Sequence, residues 1–153
     1  MNWLALGLVA ALAVFLGRRA ARKMKVAKAT AVPADDPRWV AAHERARAER
    51  DQFFTRVEAG DRPCFVGIRN GEIPAPHLDW ARVVDMKDGE LQIEFVDETR
   101  NACVPGDAVV DWQIEESDGN IRGGYSVRVV LDHLLSQPGT DEGVKSQRAR
   151  YID

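Results

Sequence analysis

Two cysteines in 153 residues cannot build a disulfide scaffold, and they do not stand at the paired spacing that cages zinc. No glycine loop of the nucleotide-binding kind and no nucleophile elbow interrupts the chain, so no cofactor is expected. Three histidines leave little material for a metal site. Basic residues are also scarce where a nucleic acid would need them. Residues 1–31 hold six bases (Arg18, Arg19, Arg22, Lys23, Lys25, Lys28) and no acid, which leaves residues 32–153 with 15 bases against 24 acids, a charge of −9. A body that acidic is a poor candidate for gripping nucleic-acid phosphates, and no nucleic acid is expected as a partner.

What is present is room for one domain and a short appendage, at 17.0 kDa with 45% hydrophobic and 29% charged residues. The single long apolar run is residues 3–16 (WLALGLVAALAVFL), inside an uncharged stretch from Met1 to Gly17. Seventeen helical residues at ~1.5 Å each reach about 25 Å, near the ~30 Å of a hydrocarbon core, and Arg18 and Arg19 can snorkel to make up the difference. A cleaved secretory signal wants positive charge before the apolar run and small residues soon after it. Here the cations follow the run, and Ala29-x-Ala31 lies beyond them. The apolar character runs all the way round, unlike an amphipathic surface helix, and no second run exists to cover a buried core helix. Residues 1–17 are therefore expected to be an uncleaved transmembrane anchor and 18–35 a basic juxtamembrane linker. Positive flanks stay cytoplasmic, which puts the amino terminus outside and residues 32–153 inside. The bilayer would then be one partner through residues 1–17, and anionic headgroups another through Arg18, Arg19, Arg22, Lys23 and Lys25. A cytoplasmic body implies reduced thiols, with Cys64 and Cys103 read as small buried side chains.

In the body, Asp36-Pro37 reads as an N-cap and first helical residue. Trp39, Ala42, Ala46, Phe53 and Val57 recur at helical spacing up to a stop at Gly60, which predicts one long helix. His43 falls at the rim of its apolar stripe. Beyond Pro63 the period changes to that of strands at 64–69, 80–86, 91–96 and 108–115. Asp88-Gly89 and Asp118-Gly119 mark hairpin turns, and residues 104–107 another turn. Such a run is an antiparallel meander of four to five strands with the long helix on one face. After Gly123-Gly124 both periods fit, and the pattern is read as a strand start merging into a helix that ends near Ser136. His133 lies at that helix's end, where a cation suits the helix dipole. Residues 36–136 form the domain and 137–153 are expected as a flexible tail.

Chemistry could lie in two places. His77-x-Asp79, completed by Asp111 or His133, could serve as an acid/base or metal site, or be a solvated loop. The run Asp111-Trp112 … Gly123-Gly124-Tyr125-Ser126-Val127-Arg128 is more distinctive, because adjacent glycines signal positive φ or close backbone approach. Its alternatives are a partner- or ligand-binding surface made by Asp111, Trp112, Gly123, Gly124, Tyr125 and Arg128, and a tight strand-to-helix corner closed by aromatic packing.

These residues, D-W-Q-I … D-G-N-I-R-G-G-Y-S-V-R-V-V-L, resemble the signature of the YegJ-like bacterial family (domain of unknown function 2314), whose pattern ends in Asp-Trp, a short hairpin and Gly-Gly-Tyr-Ser/Thr-x-Arg. The helix leading to Phe53-Phe54, the strand at 65–69, the Trp80-led strand and Pro105-Gly106-Asp107 agree in outline, so the likeness spans about residues 37–135. The stretch between Arg69 and Trp80 is shorter than such domains often carry, and the anchor is not part of the domain. The resemblance implies a small α+β domain and brings no activity with it. The chain is thus expected to be a single-pass bacterial inner-membrane protein presenting a binding module to the cytoplasm, for a protein or a small polar ligand. The alternatives are a small hydrolase using His77, Asp79 and Asp111, and an immunity-type or regulatory protein that binds a basic partner through its −9 charge.

Overall fold

The first helix opens as its capping residues require. Asp36 Oδ1 accepts the Arg38 amide at 2.9 Å, and Pro37 takes the first helical position, where its missing N–H costs nothing. The computed structural model describes residues 32–69, 71, 75–95 and 100–153; the expected anchor (1–17) and residues 18–31 lie outside the described residues. Among the described residues no helix is long and apolar enough to cross a membrane.

Helix α1 (Pro37–Ala48) buries Trp39, Ala42 and Ala46, and α2 (Arg50–Glu58) buries Phe53 and Val57. The stripe is the expected one, but the single long helix is corrected to two, broken at Glu49 (φ −100°, ψ 3°). The Ala46 carbonyl, which a continuous helix would give to the Arg50 amide, receives the Trp112 indole N–H at 3.0 Å. Glu49 is also held by the Tyr125 hydroxyl and by Arg45. The bend lets both half-helices keep their apolar faces on the same sheet.

Among the described residues that sheet has seven strands: β1 (Cys64–Ile68), β2 (Asp79–Lys87), β3 (Glu90–Phe95), β4 (Asn101–Pro105), β5 (Val109–Glu115), β6 (Ile121–Gly123) and β7 (Tyr151–Ile152), in the order β4-β3-β2-β1-β5-β6-β7. All neighbours are antiparallel except β6 and β7. The Asp88-Gly89 turn closes β2 to β3 with φ of +53° and +80°, the pair of positive values that matches strand twist. Alternation is clean on β3, where Leu91, Ile93 and Phe95 are buried and Glu90 and Gln92 exposed. The expected meander of four to five strands is therefore coarser than the fact. The turn expected at residues 104–107 begins inside β4, whose first three residues carry no strand expectation, and β5 does not continue the meander but inserts on the far side of β1.

The link from β4 to β5 is a single 3₁₀ turn, Gly106–Ala108. Four residue steps reach at most about 14 Å, well short of the ~19 Å that four strand spacings would demand in a flat sheet. The sheet therefore curls around α1 and α2, helped by the register shift in β2 between Val83 and Asp85. Gly106 sits against the Phe54 ring inside this curl.

Helix α3 (Tyr125–Leu135) follows β6 directly, as the two overlapping periods implied. Tyr125, Val129 and Val130 join the main core with Trp39, Phe53, Val66, Ile93 and Trp112, while Val127 and Leu131 turn to a second cluster with Leu78, Trp80, Ile121, Val144 and Tyr151. Each fully buried Leu, Ile or Phe contributes about 1.5–3 kcal/mol. Residues 137–153, expected as a flexible tail, instead carry α4 (Glu142–Ala149), capped by Asp141 on the Gly143 amide at 2.6 Å, and then β7. Val144, Gln147 and Tyr151 are buried, and their burial folds this segment onto α3 and β6.

Candidate functional site

The corner between β5, β6 and α3 is built around Asp111. A register shift between Gly67 and Ile68 makes Val110 an extra residue and brings Asp111 opposite Gly67, whose missing side chain leaves room that Leu78 and Trp80 fill. Asp111 is wholly buried. Its Oδ1 accepts the amides of Trp112 at 2.8 Å and Tyr125 at 3.3 Å, and its Oδ2 accepts the Ser126 amide at 2.8 Å and hydroxyl at 2.5 Å. The amides of Tyr125 and Ser126 belong to the first turn of α3, where no intrahelical acceptor exists. Gly124, the residue before that turn, has no side chain to cap it, so a carboxylate two strands back does so. Burial pushes the Asp111 carboxyl up to about 6, against the pull of all four hydrogen bonds.

The two glycines are required by contact as well as by conformation. Gly123 has φ +83°, and a Cβ there would lie 2.3 Å from the Trp112 carbonyl oxygen; Gly124 has φ +66°, and a Cβ would lie 2.6 Å from both Gln113 Nε2 and the Tyr151 ring. Trp112 stacks on Phe53 (centroids 5.3 Å apart, 20°) and meets Tyr125 edge-on at 6.0 Å. The Tyr125 hydroxyl donates to Glu49, and its phenol is held above its ordinary range first by burial and then by that carboxylate. Arg45 and Arg128 place their guanidinium groups 4.7 and 4.8 Å from the Tyr125 ring centroid.

Arg128 does not pair with Asp111. Its Nε donates to the Gly123 carbonyl at 3.0 Å, one terminal nitrogen to the Ile152 carbonyl, and the other to Asp153 Oδ1 at 2.8 Å. Arg45 reaches the same carboxylate at 3.1 Å, and Arg122 donates to the Asp153 main-chain oxygen at 2.6 Å. The guanidinium groups of Arg128 and Arg45 hold the Asp153 carboxyl below the usual range.

All six residues singled out in the sequence thus meet in one place, and all six are buried, with Asp111 and Trp112 at 0% and 2% exposure. The corner's interior is packed shut; what reaches the surface is its charged margin, where Asp153 is 78% exposed. That margin was missed in the sequence. Arg45 and Glu49 stand four positions apart, the spacing at which a helix pairs opposite charges, and meet at 3.2 Å, but nothing local links Tyr151 or Asp153 to residues some thirty positions earlier.

The acid/base set does not assemble in the same way. His77 packs edge-on against Trp39 at 5.7 Å, with burial holding its imidazole below the ordinary value. Asp79 lies on β2 and receives Arg100 at 3.4 Å. Asp79 and Asp111 flank β1 from opposite sides, about 10 Å apart by strand spacing, and Asp111 is occupied by α3. His133, the other possible member, has Nδ1 at 3.5 Å from Arg38. Among the described residues no group of three His, Cys, Asp or Glu side chains could hold a metal ion. The thiols divide. Cys64 is buried as expected, with its thiol pushed up to about 11 mainly by burial, but Cys103 is exposed, a correction that follows from its place on the outer face of edge strand β4 beside Glu90.

No protein-family model, no curated protein and no solved structure matches this chain.

Proposed function

We propose that the chain is a membrane-anchored binding module of the YegJ-like type, held by residues 1–17 with its domain on the cytoplasmic face of a bacterial inner membrane, and that it recognises an anionic group of a protein or small polar ligand. The observation that carries the reading is the convergence of Arg45, Arg122 and Arg128 on one acidic residue at the margin of the Gly-Gly-Tyr corner. On a body of charge −9, three guanidinium groups meet at this one margin, where Arg45 also pairs with Glu49 and Arg122 with Glu116, and guanidinium groups are the side chains best shaped for carboxylate and phosphate. The basic stretch that includes Arg18, Arg19, Arg22, Lys23 and Lys25 supports attachment to anionic lipid.

Location and binding are tested separately. Protease added to spheroplasts should leave the domain intact, and protease added to inverted membrane vesicles should digest it; the opposite pattern, or a mature chain beginning near Val32, removes the anchor. For binding, a photo-crosslinking residue at position 153 of the full chain, which leaves the three arginines in place, should form a discrete adduct in membranes. No adduct from that position, with the fold retained, would sink the module reading.

A further inference from the structure

Residues 151–153 fill a slot with three parts. β7 runs parallel to β6 with Tyr151 beside Ile121 and Ile152 beside Arg122, and the Ile121 amide donates to the Arg150 carbonyl at 2.7 Å. The Tyr151 ring, 5% exposed, enters a pocket floored by Gly124 and Gln113. Two residues further on, Asp153 meets the clamp of Arg45, Arg122 and Arg128. A strand edge, an aromatic pocket and a basic clamp in line are what recognition of an extended peptide by strand addition uses.

The resident fits this slot imperfectly. Gln113 is wholly buried in the Tyr151 pocket, yet its Oε1 has no hydrogen-bond partner. The Asp153 side chain is held by Arg45 and Arg128 and its main-chain oxygen by Arg122, yet the side chain is 78% exposed, so it can leave without disturbing packed atoms. β7 is two residues long and hangs from α4, a helix of eight residues whose buried side chains are Val144 and Gln147. Apart from Val144, Gln147 and Tyr151 the segment is tied down at the surface, by Arg150 to the Gly119 carbonyl at 2.7 Å and by Arg148 to Asp132 at 2.6 Å, and a short element attached in this way belongs to the class that opens below the free energy of global unfolding.

We propose that the groove along β6 is a receptor for an extended segment of a partner protein, carrying an aromatic residue followed two positions later by an acid, and that Tyr151-Ile152-Asp153 is its resident, exchangeable occupant. The aromatic ring enters the Gly124–Gln113 pocket, the intervening residue pairs along β6, and the acid takes the arginine clamp. The tethered tail acts as a competitor at an effective concentration of order millimolar, so the groove answers only to partners that bind better or to a chain whose tail has been loosened. The proposal rests on the binding-module reading and names the partner's chemistry.

The test uses the full chain and a fluorescein-labelled, amidated Arg-Tyr-Ile-Asp peptide, read by polarisation. The Tyr151→Ala/Asp153→Ala variant should bind it at least tenfold more tightly than the wild type. Binding should weaken with added salt, be lost when Tyr or Asp of the peptide is replaced by Ala, and fall at least tenfold on adding Arg122→Gln. Equal binding to variant and wild type, or none to a variant that keeps the wild-type circular dichroism, overturns the groove. Should the variant not fold, hydrogen exchange of the wild type decides. The Ile121 amide must exchange at least tenfold faster than the slowest amides of β1 and β5, and exchange at their rate overturns the proposal. A crosslinked adduct without peptide binding would remove the groove and leave the module, whereas loss of both adduct and peptide binding removes the two together.

Discussion

Asp111 caps a helix to which it is not joined: its Oδ2 accepts both the amide and the hydroxyl of Ser126, at 2.8 and 2.5 Å, from β5 to the first turn of α3. The contact ties the middle of the sheet to the helix that carries Arg128, and it explains why a fully buried carboxylate is tolerated. Its removal leaves the Tyr125 and Ser126 amides and a hydroxyl without an acceptor in a dry site.

Asp111→Ala should therefore destabilise the chain by about 3 kcal/mol or more, since each buried unsatisfied group costs about 1–3 kcal/mol. Urea denaturation followed by circular dichroism checks this, and a loss under 1 kcal/mol would mean the capping bonds are not formed in solution.

The same carboxyl gives a pH signature. Its folded value near 6 lies above the ordinary 3.8, so the folded state binds the proton more tightly. The stabilisation is fully present below about 3.8 and is lost as pH rises through 6, by about 3 kcal/mol. His43 and His77, held below their ordinary value by burial, act in the opposite sense and must be subtracted. The comparison is thus wild type against Asp111→Asn in urea at several pH values. The advantage of the wild type should shrink between pH 4.5 and 7.5, and an advantage that grows with pH would contradict burial as the dominant cause.

Glycine replacements should separate strain from collision. Gly60→Ala meets nothing within 4 Å but keeps φ at +94°, and should cost about 1–2 kcal/mol. Gly123→Ala adds a contact at 2.3 Å to a backbone oxygen, and should cost at least twice as much. Equal midpoints in thermal unfolding would argue against the close approach of Trp112.

Trp112→Phe removes the indole donor to Ala46 at the α1–α2 break and part of the stack on Phe53. A loss of about 2–4 kcal/mol is expected from the missing hydrogen bond and the void together.

Thiol chemistry offers a check on β4. Cys103 should react with a small disulfide reagent in the native chain, and Cys64 only on unfolding. Native labelling of Cys64, or protection of Cys103, would place edge strand β4 differently.

The elements that sequence reasoning located are those whose signals are local. Asp36-Pro37, the Asp88-Gly89 turn, the alternation in β3 and the doubled period at residues 121–135 each report on neighbours within a few positions, where sterics and side-chain periodicity decide the outcome. The break at Glu49 was invisible because its cause, the Trp112 indole, lies 66 positions away. β4 is unmarked in the sequence outside the turn signal at residues 104–107, because five residues ending in proline on a sheet edge carry little apolar pattern.

The candidate corner divides in the same way. That Asp111, Trp112, Gly123, Gly124, Tyr125 and Arg128 belong together was legible, since two glycines beside an aromatic residue and a nearby acid announce a tight approach. Which acid Arg128 holds was not. Asp111 and Asp153 both suit it in charge, and only the folded chain hands Asp111 to the α3 amides and Asp153 to the arginines. The amino-acid order by itself determined the α+β class, the turns, the sign of charge along the chain and the identity of the corner, because these follow from neighbours. Tertiary structure alone decided the sheet order, the broken helix, the docked tail and the choice of ion pairs, because each depends on groups that meet only after the sheet has curled and closed its core.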